Sequence, residues 1–92
     1  MPNSVIAYIH SHGTAEKPIK GSDLAERFGI SGIKVRKAVN AARCNGVPIC
    51  SSSNGYYYSE DKEQIRKTVD SMLGRIEAQQ NAIFGLQSLL NQ

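Results

Sequence analysis

Apolar and polar positions alternate with a helical period through Ser22 to Gly46, SDLAERFGISGIKVRKAVNAARCNG, and the rest of the chain is read around this stretch. Leu24, Ala25 and Phe28 give a short amphipathic segment over Asp23 to Phe28. Val35, Ala38, Val39 and Ala42 follow at offsets of three, four and seven, which is one face of a second helix. Ser22 and Ser31 stand where N-caps are expected, because a serine oxygen can accept from an orphan backbone N–H. Gly29 between the two segments permits a left-handed residue and a sharp turn, with Ile30 pinning the helices together. Asn45-Gly46 stops the second helix. Its outer face carries Lys34, Lys37, Asn40 and Arg43, so the pair reads as a helix-turn-helix with the second helix as candidate reader of DNA.

Upstream, Val5, Ile6 and Ile9 form the stripe of a first helix, capped by Asn3 or Ser4 and ended by His12-Gly13. Pro18-Ile19-Lys20 is a short extended piece. Downstream of Gly46 the period changes. Val47 to Ser51 reads as a strand, Ser52-Ser53-Asn54-Gly55 as a turn, and Tyr56-Tyr57-Tyr58 as the returning strand. Alternation puts Tyr56 and Tyr58 on one face and Tyr57 on the other.

From about Asp61 to Leu90 there is no proline, and Ser59 or Asp61 can cap a long helix. Ile65, Val69, Met72, Ile76, Gln79, Ile83, Leu86 and Leu90 recur in steps of four and three, a heptad stripe with one polar member. Val69, Ile76 and Ile83 take a positions, and β-branched residues there are compatible with a parallel two-stranded coil. Leu73, Phe84 and Leu89 widen the stripe, which also permits a larger bundle or docking on the N-terminal part. A helix of about 30 residues spans roughly 45 Å, longer than a domain of this size is wide, which favours self-association over a helix folded back on its own domain. Gly74 and Gly85 lower helix propensity, so packing must hold this helix.

Charge sharpens the division. Residues 1–58 carry seven Lys and Arg against three acids, a net of +4, whereas residues 59–92 carry four against five, a net of −1. A basic N-terminal domain with a near-neutral appendage fits a polyanion binder that oligomerises through its C-terminal helix. The two cysteines, Cys44 and Cys50, read as small buried apolar residues. No apolar run approaches the roughly 20 residues that span a bilayer, and MPNSVIAYIH lacks the pattern of a signal peptide, so a cytoplasmic protein with no membrane partner is expected. No Walker loop, zinc spacing, carboxylate pair or nucleophile-base order is present, so neither an enzyme nor a cofactor or metal is expected.

Ile19 to Tyr58, IKGSDLAERFGISGIKVRKAVNAARCNGVPICSSSNGYYY, resembles the winged helix-turn-helix domains of small bacterial and phage DNA-binding proteins. The matching pieces are a strand before a Leu-Ala helix, a Gly-Ile-Ser turn, a helix with Val-Arg, an Ile strand, a short wing and Gly-Tyr. The resemblance covers roughly residues 3–58. It implies a mainly α fold with a small β-hairpin, a winged helix-turn-helix domain over 1–58 and an oligomerisation helix over 59–92 that forms a coiled coil or helical bundle. The wing, SSSNG, departs from the family pattern in having no Lys or Arg.

The expected DNA-contacting set is Lys20, Ser22, Ser31, Lys34, Arg36, Lys37, Asn40, Arg43, Ser53 and Asn54. Ser31, Lys34 and Lys37 lie toward the end of the helix that enters the major groove in such folds. Arg43 suits the backbone, and Arg36 either contacts DNA or pairs with Glu26. Lys20, Ser22, Ser53 and Asn54 are placed to hydrogen-bond phosphate. The expectation is a bacterial or phage transcriptional regulator, most simply a homodimer reading a roughly palindromic duplex site through the helix at 31–45. The alternative is a phage-encoded inhibitor or adaptor that uses the same domain and the C-terminal helix to bind a host protein, since fold alone does not fix function.

Overall fold

A computed structural model describes residues 2–91, with side chains described from Ser4 onward. The chain is mainly helical, in the order α1 (Pro2–His12), α2 (Gly21–Phe28), α3 (Gly32–Cys44), β1 (Ile49–Ser52), β2 (Gly55–Tyr58) and α4 (Lys62–Leu90). β1 and β2 form an antiparallel pair in which Ile49 faces Tyr58 and Ser52 faces Gly55. Ile19 joins the outer edge of β2 through one residue. Its N–H donates to the Tyr56 carbonyl and its carbonyl accepts from the Tyr56 N–H, both at 2.8 Å.

The core is the set of residues that the helical period picks out. Val5 and Ile9 of α1, Leu24 of α2, and Val35, Val39 and Ala42 of α3 are buried together with Ile49. Ala38 is buried as well. Ile6, Tyr8, Ile19, Ala25, Phe28, Ile30, Val47, Tyr56 and Tyr58 close around them. Tyr56 and Tyr58 therefore point inward, while Tyr57 is buried on the opposite face and donates its hydroxyl to Gln64 Oε1 of α4 at 2.7 Å.

Local chemistry sets the boundaries. Gly29 takes the left-handed conformation (φ 63°) at the end of α2, where a side chain would be strained. Ser31 caps α3, its Oγ accepting from the Lys34 N–H at 3.2 Å. Asp61 caps α4, its carboxylate accepting from the Glu63 N–H at 3.0 Å. Ser59 stands one step back and accepts from the Asp61 N–H.

Three boundary expectations are corrected. Ser22 is not a cap. α2 opens at Gly21 after Lys20, whose carbonyl accepts from the Leu24 N–H, and Ser22 sits inside the first turn. α1 opens at Pro2, which needs no N–H partner at a helix start, so Asn3 and Ser4 lie within the helix rather than before it. In the hairpin, the strand begins at Ile49 rather than Val47, and the loop is centred on Ser53-Asn54. Gly55 already belongs to β2. Its φ is 138°, and a Cβ there would collide with the Ile19 carbonyl, so glycine is what lets the extended segment pair with β2. Cys50 is buried as expected, whereas Cys44 is exposed, because the last turn of α3 rotates it away from the Ala42 face.

α4 meets the rest of the fold at the free edge of β1. In an antiparallel ladder alternate residues turn their backbone groups away from the partner strand. At Ser51 that outward N–H donates to Thr68 Oγ1 at 3.2 Å, and Thr68 is 5% exposed. At Ile49 the outward carbonyl accepts from Arg43 Nε at 2.7 Å. One side chain from α3 and one from α4 thus satisfy an edge that would otherwise be open to pairing with another strand.

Candidate nucleic-acid interface

α3 is two-sided in charge as well as burial. Its sequence, GIKVRKAVNAARC, holds four cations and no acid. Val35, Ala38, Val39 and Ala42 are fixed in the core, so Lys34, Arg36, Lys37 and Asn40 are all exposed on a helix that cannot easily rotate. Ser31 is exposed at its N-terminus and Ile33, 58% exposed, adds an apolar side chain to the same surface. The N-terminus of a helix offers free N–H groups and a positive dipole end, which favours anions beside Lys34.

The other expected residues divide. Lys20 and Ser22 are exposed at the start of α2, and Ser53 and Asn54 are exposed at the tip of the hairpin. Asn54 donates its N–H to Ser52 Oγ, which shapes the tip. Arg36 forms no ion pair with Glu26; among the described residues the one ion pair joins Arg66 to Glu63. Arg43 differs from its neighbours. It is half-buried, gives Nε to the Ile49 carbonyl and an Nη2 hydrogen to Ser51 Oγ at 3.3 Å, and lies over the Tyr56 ring. Burial lowers its pKa from the ordinary arginine value, the Tyr56 hydroxyl and Cys50 offset part of this, and the charge on Arg75 lowers it further. Its guanidinium is committed to holding β1 against α3.

Two basic residues near the hairpin escape a reading of the sequence. Lys67 and Arg75 line a cleft beside Ser51, Ser52 and Ser53. Arg75 also lines the adjoining cleft with Arg36, Asn40 and Arg43 of α3. They sit in the C-terminal part, residues 59–92, whose four cations are outnumbered by five acids, which hid them. The available signal was a polar stripe, Gln64, Thr68, Ser71 and Arg75 in steps of four, three and four, running beside the apolar one.

Along the heptad stripe, Ile65 and Met72 are half-buried, and together with Val69 they line an apolar cleft against Val47, Pro48 and Ile49. Val69, Ile76, Gln79, Ile83, Leu86 and Leu90 are exposed, Leu90 to 84%. Among the described residues no helix is long and apolar enough to cross a membrane. No family model, curated protein or solved structure matches the chain.

Proposed function

We propose that the protein is a DNA-binding transcriptional regulator of bacterial or phage type, built as a winged helix-turn-helix, that reads duplex DNA with α3 and self-associates through α4. The order of helix, extended segment, two helices joined by a glycine turn and a β-hairpin supports this reading, as does the pairing of Ile19 with β2. One observation carries it: a helix anchored by four buried apolar residues presents Lys34, Arg36, Lys37 and Asn40 with no acid among them. Fixed basic side chains on a helix of this size suit entry to the major groove. With a self-associated α4, two such helices would face a roughly palindromic site. Lys34→Glu with Lys37→Glu should abolish the mobility shift of a bound duplex while leaving the helical circular dichroism unchanged. Normal binding by that double variant would exclude α3 as the reader.

A second reading, an inhibitor or adaptor of a host protein, is favoured by Leu73, Phe84 and Leu89. These are more than half exposed and lie off the a and d positions that a two-stranded coil would cover. Affinity for a random duplex at several salt concentrations separates the two. A DNA binder weakens steeply as salt rises, through counterion release, whereas an adaptor shows little duplex affinity at any salt.

A further inference from the structure

The hairpin tip has no cation of its own, and the structure places two beside it. We propose that Lys67 and Arg75 of α4, together with the hydroxyls of Ser52 and Ser53, form a phosphate-contacting strip that takes the part a basic hairpin tip would play on the DNA backbone. The proposal rests on the DNA-binding reading and extends it to a helix otherwise assigned to self-association.

Three observations carry it. First, the cleft holding Lys67 and Arg75 is lined by serine, tyrosine and glutamine hydrogen-bonding groups and by no Asp or Glu. Asp70 lies only three residues from Lys67 yet does not line the cleft or pair with it, and among the described residues neither cation has a carboxylate partner. Second, Arg75 stands near Arg43, so two guanidinium charges share one region with no counter-charge. An anion bound there removes a repulsion that the folded chain alone leaves in place. Third, Arg75 lines both this cleft and the one containing Arg36 and Asn40, so it links the basic face of α3 to the hairpin tip. The hydroxyls fit the same purpose. Ser52 Oγ accepts from the Asn54 N–H, which leaves its own proton free to donate to a phosphate oxygen. Contacts of this kind fix position on the duplex and carry no sequence information.

The test is fluorescence anisotropy of a labelled random-sequence duplex, titrated with the full chain at several salt concentrations. Lys67→Gln with Arg75→Gln removes both charges. Lys62→Gln with Arg66→Gln removes two charges from the opposite side of the same helix and serves as control. Losing two phosphate contacts should make the slope of log K against log salt shallower by about 1.8, so that between about 50 and 200 mM salt the wild type loses roughly 12-fold more affinity than the variant. The control should keep the wild-type slope, and Lys67→Arg with Arg75→Lys, which retains both charges, should keep it too. An unchanged slope in the Lys67/Arg75 variant overturns the strip, as does an equal fall in the control, which would reduce the effect to net charge. Should that happen while Lys34→Glu with Lys37→Glu still abolishes binding, the strip fails and the α3 reading stands. A wild-type chain without duplex affinity at low salt refutes both.

Discussion

Thr68→Val tests how α4 is held. The substitution keeps a β-branched side chain of nearly the same shape, and valine and threonine have similar helix propensities, so the helix itself is little changed. What disappears is one hydroxyl. In the wild type it accepts from the Ser51 N–H at 3.2 Å and donates to the Gln64 carbonyl at 3.1 Å. The Gln64 carbonyl sits inside the helix ladder and tolerates the loss. The Ser51 N–H does not, because it lies on the outward edge of β1 under a residue only 5% exposed. Leaving a buried donor unpaired costs about 1–3 kcal/mol, and the added methyl recovers up to about 0.8 kcal/mol of burial, for a net loss of about 1–2 kcal/mol. At about 4–8 °C per kcal/mol for a domain of this size, Tm should fall by roughly 5–15 °C. Urea denaturation followed by far-UV circular dichroism, at one fixed protein concentration, reads the change directly. Thr68→Ser keeps the hydroxyl and should recover most of the loss. If the valine variant matches the wild type, or the serine variant is as unstable as the valine one, α4 is not held to β1 through this hydrogen bond.

Other consequences are equally direct. Arg43→Met should destabilise by about 1–3 kcal/mol in the same assay, because it removes a charge-assisted bond to the Ile49 carbonyl and leaves that acceptor on a half-buried edge. Gly55→Ala should cost more than the roughly 1 kcal/mol typical of a glycine change, since a Cβ meets the Ile19 carbonyl as well as an unfavourable φ; loss of slow exchange at the Ile19 and Tyr56 amides would report the broken pairing. Truncation after residue 76 keeps Thr68 and Gln64 but removes the exposed Ile83, Leu86 and Leu90, so light scattering should find an oligomer for the full chain and a monomer for the shortened one. Equal masses per chain in both would remove α4 as the self-association element. Burial raises the Tyr57 pKa above its ordinary value of 10.0, with Cys50 and Asp61 adding to the rise. The folded state therefore holds the phenol proton more tightly than the unfolded chain. The stability this gives is complete below about pH 10 and is lost as pH rises through the folded pKa, a decline that Tyr57→Phe should lessen.

The parts of the fold legible from sequence are those decided by local rules. The Val35, Ala38, Val39, Ala42 stripe, the left-handed Gly29 and the Ser31 cap each follow from spacing or backbone sterics within a few residues, and each is found. What escaped depends on tertiary partners. Nothing local distinguishes Arg43 from Lys37 on an exposed helical face; only the arrival of β1 turns Arg43 into a structural clamp. The same holds for Ser22, which looks like a cap until Lys20, placed by the Ile19 pairing with β2, starts the helix two residues sooner. Lys67 and Arg75 gain a candidate role only because Thr68 sets α4 against the hairpin.

That docking also decides how two readers could be related. With 3.6 residues per turn, the polar stripe of Gln64, Thr68 and Arg75 lies about 60–100° around α4 from Ile65, Val69 and Ile76. One face is thus spent on the chain's own hairpin, and the adjoining apolar face, half-buried at Ile65 and Met72, is open at Val69, Ile76, Ile83, Leu86 and Leu90. In the proposed dimer these two faces are packed at once, so the partner helix and the α3 surface are joined through a continuous path: stripe, Thr68, β1, Arg43, α3. Every link in that path is a side chain or a strand rather than a flexible linker, which makes the separation of the two α3 helices a property of packing. Half-site spacing should then be strict. Insertion of five base pairs between half-sites, about half a helical turn, should reduce binding to the level of a single half-site. Tolerance of that insertion would place a hinge somewhere along the path, and the contact between Thr68 of α4 and Ser51 of β1 is where Thr68→Val should create one.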